Sequence, residues 1–290
     1  MNNQKTEGIF NRSGLAALSD LQAPECRYIF SVLESQQSEF LEKEEKFRSK
    51  EYELPNDPLH CWSRVWEYPY VYSHLARMVK DLAEGSRPLV IDVGSGVTFF
   101  PFSLARLGCQ VVCTDIDPVC EKDILRAREN IPCAPGDVHF RLINKEKLPF
   151  ADCECDVVYC ISVLEHIPDF ENTVREMARV LKPGGLCLIT CDLGLDPRSD
   201  TQLTVHGYER LMSVMKQQFS LLYSDRTIHP VNVLTDLNSP YPDCRITYAR
   251  IGFRLLKQNI LKKVFGRKPR YVNVLGIGNL AVLGLALRKR

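Results

Sequence analysis

Three features of the 290-residue chain predict an α/β fold, a doubly wound and largely parallel sheet flanked by helices. Leu89-Val90-Ile91-Asp92-Val93 is a short apolar run that opens into Gly94-Ser95-Gly96. It is the first of five short apolar runs separated by helical stretches. Parallel strands need such crossovers, whereas antiparallel ones close through tight turns. Finally, 45% apolar residues suffice for a packed core, and a net charge of +1 gives the whole chain no pull toward an anionic partner.

The elements follow in order. Residues 1–86 predict a helical N-terminal cap. Pro24 suits the first turn of a helix, and Ile29, Val32, Leu33, Gln36 and Phe40 recur at helical spacing. A mixed-charge run, Glu42 to Glu51, reads as a solvated helix end, and Pro55-Asn56-Asp57-Pro58 breaks the chain. A second helix carries Trp62, Trp66, Tyr68, Tyr70 and Tyr72 with Arg64, Glu67 and His74 among them. It fits either a helix docked by its aromatic face or a lid whose Arg64 meets a carboxylate.

The core, residues 87–228, opens with the strand at Leu89 and the glycine turn, followed by a helix from Phe99 that Gly108 closes. A dinucleotide-binding turn needs a third small residue where this chain has Phe99, and a phosphate-cradling loop needs Gly-Lys-Ser/Thr, which is absent. Asp92 beside the turn would repel a pyrophosphate and suits a cationic ligand, which disfavours an NAD(P)-dependent oxidoreductase. The second strand, Gln110 to Thr114, ends at Asp115, 19 residues beyond Gly96. An acid at that strand tip can take both hydroxyls of a ribose, so the ligand contains a nucleoside. Asp117 caps the helix Val119–Asn130. Strands at His139–Ile143, Asp156–Cys160 and Leu186–Thr190 follow. Between the last two lies a helix with Val174, Met177, Ala178 and Leu181 on one face, stopped at Lys182-Pro183-Gly184-Gly185.

From about Pro88 to Cys191 the chain resembles a class I S-adenosylmethionine-dependent methyltransferase, of the broad group that includes quinone-biosynthesis methyltransferases. The resemblance rests on five landmarks in order: Asp92-Val93-Gly94-Ser95-Gly96, Asp115, Leu148-Pro149-Phe150, Val163-Leu164-Glu165-His166-Ile167-Pro168-Asp169 and Leu181-Lys182-Pro183-Gly184-Gly185. Two positions depart from the pattern. Thr98 stands where many members have a third glycine, and Asn144 replaces the commoner Asp that accepts from the adenine amino group, a bond an Asn oxygen can also accept.

The resemblance implies a Rossmann-like, seven-stranded sheet with an antiparallel last strand, and S-adenosyl-L-methionine as cofactor. Asp92, Gly94, Ser95, Gly96, Asp115, Ile116, Asn144 and Ile161 would bind it. The implied reaction is methyl transfer to a small-molecule or glycan acceptor, asking mainly for alignment and partial desolvation of the nucleophile. His166 is the candidate base, its ordinary pKa suiting the task, while Glu165 reads better as an acid that ties a loop. The alternative is a non-catalytic or non-methylating user of the same fold, a binding subunit or a cyclase.

Twelve cysteines are scattered, with no CxxC pair, and read as reduced, mostly buried thiols with neither metal nor disulfide. No hydrophobic leader follows Met1, and the longest apolar stretch, Val272–Leu287, is too short to span a bilayer and is interrupted by Asn273 and Asn279. The expected location is cytoplasmic. Beyond the core, Leu203–Met215 predicts a helix, Phe219–Ile228 a strand, and Leu280–Leu287 the last core strand within a C-terminal piece at 279–290. Residues 229–278 form an insertion. From Arg245 to Arg290 there are 12 Lys and Arg and no acid, against 25 basic and 36 acidic residues in the rest. That asymmetry predicts a weak contact with an anionic membrane surface and a membrane-peripheral habit. With no aromatic-rich module beside the basic stretch, nucleic acid is disfavoured.

Overall fold

The computed structural model describes residues 8–54, 56–144, 147–195, 203–225, 227–241 and 280–290. Among these residues eight strands form one sheet. β1 is Gly14–Leu15, β2 Leu89–Val93, β3 Gln110–Asp115, β4 Asp137–Leu142, β5 Cys155–Ile161, β6 Leu181–Gly194, β7 Phe219–Leu221 and β8 Leu280–Lys289. Their order is β1-β8-β6-β5-β2-β3-β4, with β7 also on β8. β2 through β6 pair in parallel, and β8 runs antiparallel to β6. The seven expected strands are therefore present, with the antiparallel one where the resemblance puts it. The two-residue β1 is an addition: Gly14 and Leu15 pair antiparallel with Gly284 and Leu283, while β7 takes the far half of the same edge at Leu287–Lys289. Two short strands thus cover an edge that would otherwise expose unpaired amides.

Among the described residues six helices complete the layers: α1 Pro24–Glu42, α2 Arg64–Lys80, α3 Phe100–Arg106, α4 Pro118–Asn130, α5 Phe170–Val180 and α6 Val205–Gln218. Alternation along the strands sorts the core into two faces. Val90, Val111, Val157 and Tyr159 join Leu33, Trp66, Phe102 and Ile124, so that α1 to α4 cover one face. Ile91, Val112, Val158 and Ile189 join Val174, Met177, Leu211 and Val214 of α5 and α6 on the other. The N-terminal helices share this core. Trp66 and Tyr70 stack at 4.5 Å, and both lie against Gly284 of β8, where an added Cβ would come within 2.6 Å of the Trp66 ring. The aromatic face of α2 is a docking face.

Several boundaries moved. Asp117 caps α4, its carboxylate accepting from the amide of Val119 at 2.9 Å. α5 ends at Val180, and Leu181, expected on the helix, belongs to β6 together with Lys182 through Gly185, expected as a stop. The chain bulges there: Cys155 pairs with Leu181, yet Val157 pairs with Leu186, and Gly184 at φ +74° makes the turn. Proline and glycine signal a break in a helix, and here they also serve as a bulge in the following strand. β7 stops at Leu221, well short of the expected Ile228. Most of the basic stretch from Arg245, together with the rest of the insertion from 242, lies outside the described residues.

Candidate functional site

Parallel strands deliver their C-terminal ends to one rim, and the chain order β3-β2-β5 reverses direction there, the place where open α/β sheets bind ligands. A cavity of about 890 Å³ opens at that rim, large enough for a nucleoside cofactor with a small acceptor beside it. Its walls come from the ends of β2, β3, β4 and β5, from the loop before α2, and from the start of α2 and α5.

The glycine turn forms the floor. Gly94 (φ +76°) and Gly96 (φ +54°) occupy the left-handed region that other L-residues enter at a cost. At Gly94 a Cβ would lie 2.7 Å from both methyls of Val163, and at Gly96 one would lie 3.0 Å from the Tyr52 hydroxyl. The amides of this turn are already engaged. Those of Gly94 and Ser95 donate to the Thr114 carbonyl at 2.9 and 3.0 Å, that of Gly96 to Asp115 at 3.0 Å, and that of Val97 to the Tyr52 hydroxyl at 2.8 Å. The turn therefore offers a phosphate no unspent donor, in keeping with the exclusion of a dinucleotide.

Asp115 ends β3 with its two oxygens accepting from the amides of Gly96 and Asp117, the latter at 3.1 Å. Each carboxylate oxygen retains a second lone pair for a ligand hydroxyl. Ile116 follows it, 53% exposed, with Ile143, Asn144 and Ile161 around the same wall. The Asn144 side-chain oxygen accepts from the Lys147 amide at 3.0 Å, closing its own loop, so an adenine amino group would share that oxygen.

Asp92 is 5% exposed. Strand register puts it between Cys113 and Tyr159, and the Tyr159 hydroxyl donates to its Oδ2 at 2.6 Å. Burial pushes the Asp92 carboxyl up to about 8, against the lowering effect of the tyrosine bond. Burial and the neighbouring carboxyl hold the Tyr159 phenol well above its ordinary range.

His166 ends a 3-10 turn, Leu164–His166, on the cavity wall and is exposed. Glu165 faces the other way, 1% exposed. Its Oε1 accepts from the Asp192 amide at 3.1 Å, the loop-tying role read for it, and burial followed by the charge of Glu67 raises its carboxyl. Glu67 is itself fully buried. It accepts from Arg64 and from the Ser162 hydroxyl, the latter at 2.9 Å, and Arg64 also donates to Ser162. The carboxylate that Arg64 meets thus belongs to its own helix, while Arg64 and Ser162 both line the cavity. Ser162 holds φ +47°, a strained value for a non-glycine residue of the kind found at functional sites.

Every cofactor-binding residue expected from the sequence lies on this one cavity, as does His166. Sequence reasoning missed Tyr52, Tyr159 and Ser162, and had Tyr68 only as one of the aromatic set of the second helix. A polar-tipped Tyr159 in an otherwise apolar strand was a usable signal; Tyr52 gave none, since it reaches the turn across 45 residues of chain. Among the described residues no group of three or more His, Cys, Asp or Glu side chains could hold a metal, and nine of the eleven described cysteines are buried.

Residues 91–189 match the family model for a methyltransferase domain. Over 139 residues the chain is 34% identical to an uncharacterized methyltransferase of Mycobacterium sp. (strain JLS), covering 46% of this chain and 52% of that one. Over 132 residues it is 38% identical to a ubiquinone biosynthesis O-methyltransferase of Xanthomonas oryzae pv. oryzae (strain PXO99A), covering 45% and 50%. The chain spans about half the length of the curated relatives it matches. Among solved structures, a SAM dependent methyltransferase from Aquifex aeolicus aligns over 80% of this chain and 93% of its own at 16% identity and a TM-score of 0.42.

Proposed function

We propose that this chain, whose residues 91–189 carry a class I S-adenosylmethionine-dependent methyltransferase domain, transfers a methyl group to a small-molecule or glycan acceptor. The observation that carries the reading is the cavity floor. A glycine turn with its amides spent stands between two acids, Asp92 and Asp115. Such a floor rejects phosphate and receives a nucleoside that bears positive charge.

The residues present fit S-adenosyl-L-methionine. Asp115 accepts the ribose hydroxyls, Ile116 and Ile161 pack against the base, and Asn144 accepts from the adenine amino group. Gly94 and Gly96 allow the close approach that a Cβ would block, Ser95 lines the floor between them, and Asp92 faces the cationic end. When bound, the cofactor supplies a methyl on a cationic sulfur that departs neutral. The protein's share is to align the acceptor, exclude water and, for an acceptor that must lose a proton, provide a base. His166 takes that role, and Arg64, Tyr68 and Ser162 line the acceptor side.

The same proposal treats residues 1–86 as the cap that closes the acceptor side of the 87–228 core, 229–278 as an insertion and 279–290 as the returning strand. It places the protein in the cytoplasm, with a weak hold on anionic membrane surfaces through the basic 245–290 stretch. Among the described residues, no helix is long and apolar enough to cross a membrane.

Calorimetry with S-adenosylmethionine, its demethylated product and NAD tests the first step. Micromolar binding of the first two and none of the third is expected; the reverse order sinks the proposal. Transfer is tested by methyl-labelled cofactor incubated with small-molecule extracts. Label that stays with the cofactor while binding is normal would favour a non-catalytic user. His166→Ala should cut transfer about 100-fold with cofactor affinity unchanged.

A further inference from the structure

Asp92 is placed unlike an ordinary ligand-binding acid. It is buried, and its carboxyl receives one side-chain hydrogen bond, from Tyr159 at 2.6 Å. Among the described residues no Lys, Arg or His pairs with it. A bare carboxylate in such a place is costly, and a protein relieves the cost by keeping the proton or by meeting a cation.

The groups around Asp92 leave the first option open while the cavity is empty. Cys113 of β3 lies opposite in register, Tyr159 and Cys160 come from β5, and Tyr68 comes from α2. Burial holds all four above their ordinary values, so they are neutral at pH 7. The remaining neighbour is Asp115, whose negative field adds to the rise of Asp92. No positive charge from this shell opposes the proton.

We infer that Asp92 and Tyr159 form a proton-linked receptor for a cationic group: the carboxyl keeps its proton in the empty cavity and releases it to solvent when the cation of the ligand arrives. The inference rests on the proposed cofactor reading and deepens it. In the exchange one proton leaves Asp92 Oδ and one positive charge takes its place, so the net charge of the buried site is conserved. Tyr159 keeps its hydroxyl hydrogen and continues to donate, now to a carboxylate, a stronger bond than to the acid. The ammonium and the sulfonium of the proposed cofactor share the required chemistry.

The exchange gives affinity a defined pH dependence. Below about 8, where Asp92 is protonated in the free protein, each unit of pH should raise the affinity for a cationic ligand roughly tenfold; above it the dependence should flatten. Titration calorimetry of the full chain at pH 7, in phosphate and in Tris, reads the proton directly, because the two buffers take up protons with different heats. S-adenosylmethionine should release close to one proton. S-adenosylhomocysteine, which keeps the ammonium but lacks the sulfonium, shows which cation is met, and adenosine, which has neither, should release none. In Asp92→Asn the release should vanish. In Tyr159→Phe it should persist, with the flattening moved to higher pH because the donor that favours the carboxylate is gone.

S-adenosylmethionine binding tightly with no proton released, or adenosine releasing one, would overturn the inference and leave the cofactor reading intact. Failure of all three ligands to bind would overturn both.

Discussion

Asp92 and Asp115 end neighbouring strands and face the same cavity, yet their surroundings give them different chemistry. Asp115 is partly exposed and accepts from two backbone amides, so it is poised to take hydroxyls. Asp115→Ala should remove charge-assisted bonds worth about 1.5–3 kcal/mol each. Cofactor affinity, read by calorimetry on the folded variant, should then fall tenfold or more; a smaller loss moves the ribose elsewhere. Asp92 carries a stability signature instead. Its folded value of about 8 lies above the ordinary 3.8, so between those limits the native state holds a proton that the unfolded chain has lost. Stability from this group is therefore present at low pH and declines as pH rises through the window. Asp92→Asn removes the dependence. Its melting temperature should exceed that of the wild type more at pH 8.5 than at pH 5, a gain of 1 kcal/mol corresponding to roughly 2–4 °C. Equal differences at the two pH values would mean that Asp92 is ionised throughout.

At the scale of elements, the site depends on how a turn, a 3-10 segment and a distant loop meet. Gly94 allows the turn to leave β2 with φ +76°, and the Val163 methyls occupy the space a Cβ would need. Gly94→Ala should therefore cost on the order of 1–3 kcal/mol from backbone strain, with the clash added to it. Adding Val163→Ala should recover the clash and leave the strain. Urea unfolding of the single and double variants separates the two, and a double variant no more stable than the single one would show that Val163 does not crowd the turn. The loop before α2 is tied to the same turn, because Tyr52 takes the Val97 amide while Arg48 lies over the Tyr52 ring at 4.7 Å. That loop is in turn anchored on α4, where Ser49 donates its amide to Asp123 at 2.8 Å.

Over the whole chain, near-neutrality conceals a division, since the 12 basic residues from Arg245 onward are offset by an acidic remainder. Part of that charge is spent inside the fold: Arg288 donates to the Gly184 carbonyl at 2.9 Å, and Lys289 to that of Leu181 at 2.6 Å. Weak binding to anionic vesicles at low salt is expected, fading toward physiological ionic strength, where screening acts over about 8 Å. Sedimentation with anionic and with neutral vesicles checks it; equal recovery in both supernatants would leave the basic stretch without a membrane role.

Local sequence determined the strands, the glycine turn, the Asp115 tip and the α4 cap, because each depends on residues within a few positions of one another. It also put the residues expected to bind a cofactor on one rim, since every parallel strand ends on the same side of the sheet. What it left open is decided by contacts between distant segments. Whether α2 is a lid or a docked helix turned on Trp66 and Tyr70 meeting Gly284, more than 200 residues away. The second pairing edge of β8 is filled by Gly14 and Leu15, a dipeptide too short to show any periodicity. Asp92 was legible as an acid beside a glycine turn, but its ionisation was not. Ionisation is set by solvent exclusion and by a tyrosine 67 positions away, and burial is a property of the packed molecule.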